Sequence, residues 1–192
     1  IRDLQSKIDN DYPANGEITE EGFKIGNEVF KPYKCQDVPL DANYEAPKDL
    51  ILPPSVDLRN DFSTIRNQGN QGACSAFSLV SVIEYFLSKI LKKKTDLSEA
   101  FVYYNARDIN NATDEDEGTN FHDIIQSIRD NGVCVEELCP YNPDVYNEKP
   151  SEEAYTEATG RKITEAKNVG INVNDVKSAL AQGFPVVISA RA

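Results

Sequence analysis

From Cys74 to Leu91 the chain is almost wholly apolar, with Glu84 and Lys89 as its only charges. Phe77, Val80, Ile83, Leu87 and Ile90 recur at steps of three and four, the period of a helix face. Leu79, Val82, Phe86 and Leu91 fill other faces, so the pattern predicts a helix buried on nearly all sides. Its serines and polar approach exclude a membrane span. Downstream, Ser98-Glu99 opens a segment to about residue 109, packed through Phe101, Val102 and Tyr104. Residues 110–118 are a polar loop. Thr119 or Asn120 then caps a helix with Phe121, Ile124, Ile125 and Ile128 at helical spacing and Gly132 as its stop.

The remaining third mixes periods. A short acidic helix is expected from Ser151 to about Thr159, and a strand over 162–169, from Lys162 to Val169. Asn174 is read as the cap of a helix running to Ala181, with Val176, Ala179 and Leu180 on one face and Gly183 beyond it. Pro185 to Ala190 reads as a short apolar strand. Helices and short strands together indicate an α+β fold.

Residues 1–52 differ from all of this. Pro13, Pro32, Pro39 and Pro47 punctuate them, and Gly16, Gly22 and Gly26 add turns. Phe23, Ile25, Val29-Phe30 and Leu50-Ile51-Leu52 are apolar islands too small to form a core alone. The expected division is an N-terminal extension, 1–52, laid on a main domain, 53–192.

Charge narrows the function classes. Twenty basic against 32 acidic residues give a net charge of −12, and no clustered basic surface for nucleic acid emerges. Lys92-Lys93-Lys94 follows the long helix, where positive charge suits the helix dipole. Asp114-Glu115-Asp116-Glu117 reads as a solvated run. Cys134 and Cys139 lie five apart without a second pair or a nearby His, which is a weak zinc signal. Buried free thiols are expected there, with a short disulfide as the alternative. No metal and no cofactor are expected, and the cellular compartment is left open.

The chemistry concentrates before the long helix, in Arg66-Asn-Gln-Gly-Asn-Gln-Gly-Ala-Cys74. A cysteine at a helix start meets backbone N–H groups without intrahelical partners and the positive end of the helix dipole, both of which favour a thiolate. Gly69 and Gly72 let backbone come close to the sulfur. Gln68 supplies a neutral amide donor for a developing oxyanion beside the Cys74 N–H. Nucleophile, helix end and donor together point to acyl transfer. A lone cysteine at a helix start is more often a packing residue, and that reading stands beside the catalytic one.

Pro53-Pro-Ser-Val-Asp-Leu-Arg59, then Asn67-Gln68-Gly69, then Cys74-Ser-Ala-Phe-Ser78 resembles the opening of a papain-like cysteine peptidase. Leu97-Ser98-Glu99, Asn131-Gly132-Val133, Pro140-Tyr141 and Gln182-Gly183 with Pro185-Val186-Val187 extend the resemblance in order to the end of the chain. The resemblance implies a two-lobe fold: a helical lobe around the central helix, and the beginning of a β-barrel-like lobe. It implies Cys74 as nucleophile and Gln68 as oxyanion donor. Gly72, Gly118 and Thr119 would line the substrate groove, with Ser189 bordering the pocket that Thr119 borders. Glu117 stands where the family has a first glycine before Gly118. Gln71 stands where it has a cysteine, so a common disulfide is absent, and Ser75 replaces its tryptophan. The single histidine, His122, lies upstream of the family's catalytic position and is read as a surface or half-buried residue.

The expected function is therefore a cysteine-type endopeptidase acting on peptide or protein substrates, in a precursor or self-covered form, with residues 1–52 across the cleft. A second polypeptide segment is expected to complete the fold and to supply the histidine. The alternative is a protease-shaped scaffold or binding protein without catalysis, favoured by the missing histidine and opposed by the Gln68–Cys74 pairing.

Overall fold

The computed structural model describes residues 42–189, together with the backbone of residues 17–19, 22–25 and 28–30. The chain forms two units. One takes the chain up to Leu58 and from Lys167 onward; the other is Arg59–Ala166.

The second unit is helical. It contains α1 (Cys74–Leu91), α2 (Glu99–Asp108), α3 (Phe121–Asp130) and α4 (Glu152–Ala158), with short 3₁₀ turns at Arg59–Asp61 and Glu136–Leu138. Three of these helices start where a side chain satisfies a first-turn N–H. Ser98 accepts from Phe101 N, Asn120 from Asp123 N and Ser151 from Ala154 N. Gly132, at φ +83°, follows α3 as expected, and its N–H closes on Ile128 O at 3.0 Å. Ala76 and Val80 of α1 meet Phe101, Val102 and Ala106 of α2, Ile124 and Ile128 of α3, and Ala154 and Ala158 of α4 in one buried cluster.

Helix α1 spans the residues the periodicity predicts, but its burial differs. Ser75, Ala76, Val80, Glu84 and Tyr85 are buried; Ile90 and Leu91 are 73% and 56% exposed, and the other apolar residues are half-buried. Composition reports what a helix is able to bury. How many faces are packed depends on neighbours, and α2 and α3 pack against α1 through the buried face. By length and composition alone α1 is apolar enough to cross a membrane. Here it packs as a core helix, and its buried Glu84 accepts the Leu97 N–H at 2.8 Å.

The first unit holds a three-stranded antiparallel meander: β1 (Glu17–Thr19), β2 (Gly22–Ile25) and β3 (Glu28–Phe30), with Ile18 opposite Phe23 and Lys24 opposite Val29. The sequence reading assigned no element here. β4 (Ala42–Asn43) pairs in parallel with β5 (Lys167–Asn168), and α5 (Val173–Ala181) follows. The cap of α5 is Asn172, accepting from Asp175 N, two residues before the expected Asn174. The strand expected over 162–169 shrinks to two residues, because pairing with β4 reaches only that far. Pro185 to Ser189 form no strand, and among the described residues no ladder partner faces them. Cys35, the apolar islands before residue 42 and Ala190 lie outside the residues described in full. The cleft-covering role expected of residues 1–52 falls largely outside them too.

Candidate active site

Cys74 is the first residue of α1 and is exposed. Its helix is the exception in capping. Ala73 precedes it with no side chain able to accept, so no side-chain cap covers the first turn. Ser75 turns inward and donates to the Thr119 carbonyl at 3.1 Å, while Ser78 donates back to Cys74 O at 2.7 Å. The sulfur therefore stands beside an uncapped positive helix end. Cys134 is buried and Cys139 half-buried, and both are free thiols. Burial first, then the neighbouring Cys139, pushes the Cys134 thiol up to about 12. Burial raises Cys139 as well.

The loop before Cys74 is pinned at each step. Asn67 Oδ1 accepts the Gly69 N–H at 2.7 Å, closing a tight turn in which Gly69 takes φ +61°. The Gln68 side chain donates through Nε2 to Gln71 O at 2.9 Å. That amide carries two hydrogens, so one such bond leaves a second donor. Tyr141 donates its hydroxyl to Gln68 O at 2.7 Å and sets its ring edge-on to Phe77 of α1, centroids 4.8 Å apart. Gln71 is buried where the family usually has a cysteine, and its amide reaches Asn142 O and Val145 O, both at 3.4 Å.

On the other side, Gly72 and Gly118 meet backbone to backbone. A methyl group on Gly72 would lie 2.9 Å from Gly118 N, so only glycine fits. Gly118 itself takes φ +82°. Thr119 follows, with its Oγ1 buried and without a hydrogen-bond partner among the described residues. Gly72, Cys74, Gly118 and Thr119 are thus brought to one place, with Gln68 anchored in the same loop. Ser189 belongs to the other unit, half-buried, in chain without regular structure. His122 sits in the first turn of α3, with Nδ1 3.0 Å from Asp123 Oδ1. Among the described residues no group of three or more His, Cys, Asp or Glu is arranged to hold a metal ion.

The acidic run departs from its expected solvated role. Asp114, Glu115 and Glu117 are exposed, but Asp116 turns inward and accepts the Gly72 N–H at 3.0 and 3.2 Å and the Tyr103 hydroxyl. Burial, then this bond to a carboxylate, raises the Tyr103 phenol above its ordinary value. Arg107, also missed, is buried and threads its guanidinium through the loop, donating to Thr113 O at 2.9 Å, Glu115 O at 2.7 Å and Tyr146 O. The only signal in the sequence was the nearness of Asp116 to Gly118.

A third cluster braces Arg66, two residues before Gln68. Arg66 pairs with Asp96, with Glu99 at 3.0 Å and with Glu136 at 2.9 Å. Burial works against the guanidinium charge, yet these carboxylates outweigh it and hold Arg66 above its usual value. Glu99 moves differently because it shares that one cation. Burial, only partly offset by Arg66, pushes it up to about 8.

Comparison with known proteins follows the same lines. The family described as papain family cysteine protease matches residues 52–192. An uncharacterized peptidase C1-like protein of Acanthamoeba polyphaga mimivirus is 32% identical over 157 residues, covering 77% of this chain and 48% of that protein. Among solved structures, xylellain, a cysteine protease from Xylella fastidiosa, superposes with TM-score 0.66 at 27% identity, over 88% of this chain and 65% of its own. Digestive procathepsin L 3 of Tenebrio molitor shares the fold, with TM-score 0.60 at 22% identity over 73% of this chain and 44% of its own. The chain thus spans about half the length of the mimivirus relative and under two thirds of xylellain.

Proposed function

Because the chain belongs to the papain family of cysteine proteases, we propose that it acts as a cysteine-type endopeptidase with Cys74 as nucleophile. The thiolate attacks the scissile carbonyl carbon, forming a C–S bond and an oxyanion. The Cys74 N–H and the second hydrogen of the Gln68 amide receive that charge. The tetrahedral species collapses to a thioester, and the amine leaves with a proton from an imidazolium. Water, deprotonated by the same imidazole, then hydrolyses the thioester. His122, engaged with Asp123 in α3, is not assigned this role. We propose that the imidazole comes from a second polypeptide segment outside residues 1–192, a reading that the family resemblance supports.

Gly72, Gly118 and Thr119 form the near wall of the groove for an extended peptide. Residues 1–52 are proposed to cover the cleft in a precursor form. The single observation that carries the reading is the exposed Cys74 at the uncapped start of α1, beside the Gly72–Gly118 contact.

The test is hydrolysis of fluorogenic peptides by the whole protein and by Cys74→Ser. Cleavage that Cys74→Ser abolishes is expected. Cleavage that survives it, or none in the wild-type protein after removal of residues 1–52, leaves the non-catalytic scaffold as the better account.

A further inference from the structure

Of the four acidic residues 114–117, one is not spent on solvent. Both oxygens of Asp116 face the Gly72 N–H, at 3.0 and 3.2 Å, and Oδ1 also takes the Tyr103 hydroxyl. Gly72 is two residues before Cys74, and Asp116 is two residues before Gly118. The bond therefore joins the lead-in of the nucleophile to the groove wall, and the close Gly72–Gly118 approach repeats the join in backbone. The Ser75 to Thr119 bond at 3.1 Å closes the ring one residue beyond each. The carboxylate is itself held. Tyr103 is buried with the Arg107 guanidinium 4.1 Å over its ring, and Arg107 grips the carbonyl just before Asp116, that of Glu115. A hydrogen bond to an ionised carboxylate is about twice as strong as a neutral one. No disulfide is available from position 71 to tie these segments, because Gln71 stands there.

We propose that Asp116 is a positioning residue: through Gly72 and Tyr103 it fixes the distance between the Cys74 sulfur and the Gly118 backbone edge on which an extended peptide would lie. The inference rests on the endopeptidase reading for its purpose, but the clamp stands or falls on its own measurement. Loss of the carboxylate lets the two segments part, so a substrate anchored at Gly118 presents its carbonyl at the wrong place. A small reagent that needs only the sulfur is unaffected.

The protein, whole and after removal of residues 1–52, with Asp116→Ala, Asp116→Asn and Tyr103→Phe, is alkylated at Cys74 by iodoacetamide and by a dipeptidyl epoxide, and exchange of the Gly72 amide is followed in parallel. In Asp116→Ala the epoxide rate is expected to fall about tenfold, with the iodoacetamide rate within about twofold of wild type, as for a lost positional constraint. The Gly72 amide should lose its protection. Asp116→Asn, which keeps one acceptor, should recover part of both. Tyr103→Phe should shift the epoxide rate in the same direction by less, and serves alone if Asp116→Ala does not fold. A protected Gly72 amide in Asp116→Ala overturns the clamp. Equal loss with both reagents, or no loss with the epoxide in either Asp116→Ala or Tyr103→Phe, overturns the positioning role. A wild-type protein still inert to the epoxide and to peptides after removal of residues 1–52 defeats the peptidase reading instead, while amide exchange still decides the clamp.

Discussion

Cys74, Cys134 and Cys139 share a chain but not an environment. The first is exposed; the second is buried with its thiol pushed up to about 12, and the third is raised by burial. Since the thiolate is the reactive species, iodoacetamide at neutral pH should modify Cys74 well before Cys134 or Cys139, as read by peptide mass mapping. Replacing Gln68 by Ala should lower kcat by about 10²–10³ with little change in KM, the cost of losing one oxyanion donor. Stopped assays of the variant and wild type compare the two constants directly. The sequence told much at this scale: Cys74 at a helix start, its glycines and Gln68 were all legible from residue type and spacing. Asp116 was not, because one inward carboxylate in a run of four acids looks like its neighbours until a fold sets it against Gly72.

Among the elements, α1 and the loop that leads into it are held to their neighbours through polar bonds as well as apolar packing. Arg66 serves Asp96, Glu99 and Glu136, and Glu84 takes the Leu97 N–H. Glu99 has a direction worth testing. Folding lifts it from its ordinary value near 4.5 up to about 8, so between those values the folded protein holds a proton that the unfolded chain has released. Its contribution is full below about pH 4.5 and is lost as pH rises through about 8. The wild-type urea midpoint should fall from pH 5.5 to pH 9 more steeply than that of Glu99→Gln, which cannot lose that proton. Helix starts were readable because Ser98, Asn120 and Ser151 carry their own cap chemistry. Strands were not. β4 and β5 pair across more than a hundred residues, and apolar content at Pro185 to Ser189 does not create a ladder partner.

At the scale of the molecule, the chain is an α+β protein of the papain family whose helical unit carries Cys74, and it spans 48% of its mimivirus relative and 65% of xylellain. Order along the chain made this legible, since motifs from Pro53 to Val187 stand in the family's sequence. The meander of β1–β3 was not, because strands of three and four residues among prolines and glycines leave no period to read. If residues 1–52 cover the cleft, their removal should raise the hydrolysis rate on a peptide substrate, even though it also removes β4 and its pairing with β5. The account is tested most directly by treating the whole protein, freed of residues 1–52, with a peptidyl epoxide and mapping the adduct by mass spectrometry. It predicts one stoichiometric adduct, on Cys74, with parallel loss of peptide hydrolysis. An adduct on Cys134 or Cys139, or full hydrolysis with Cys74 blocked, would contradict it.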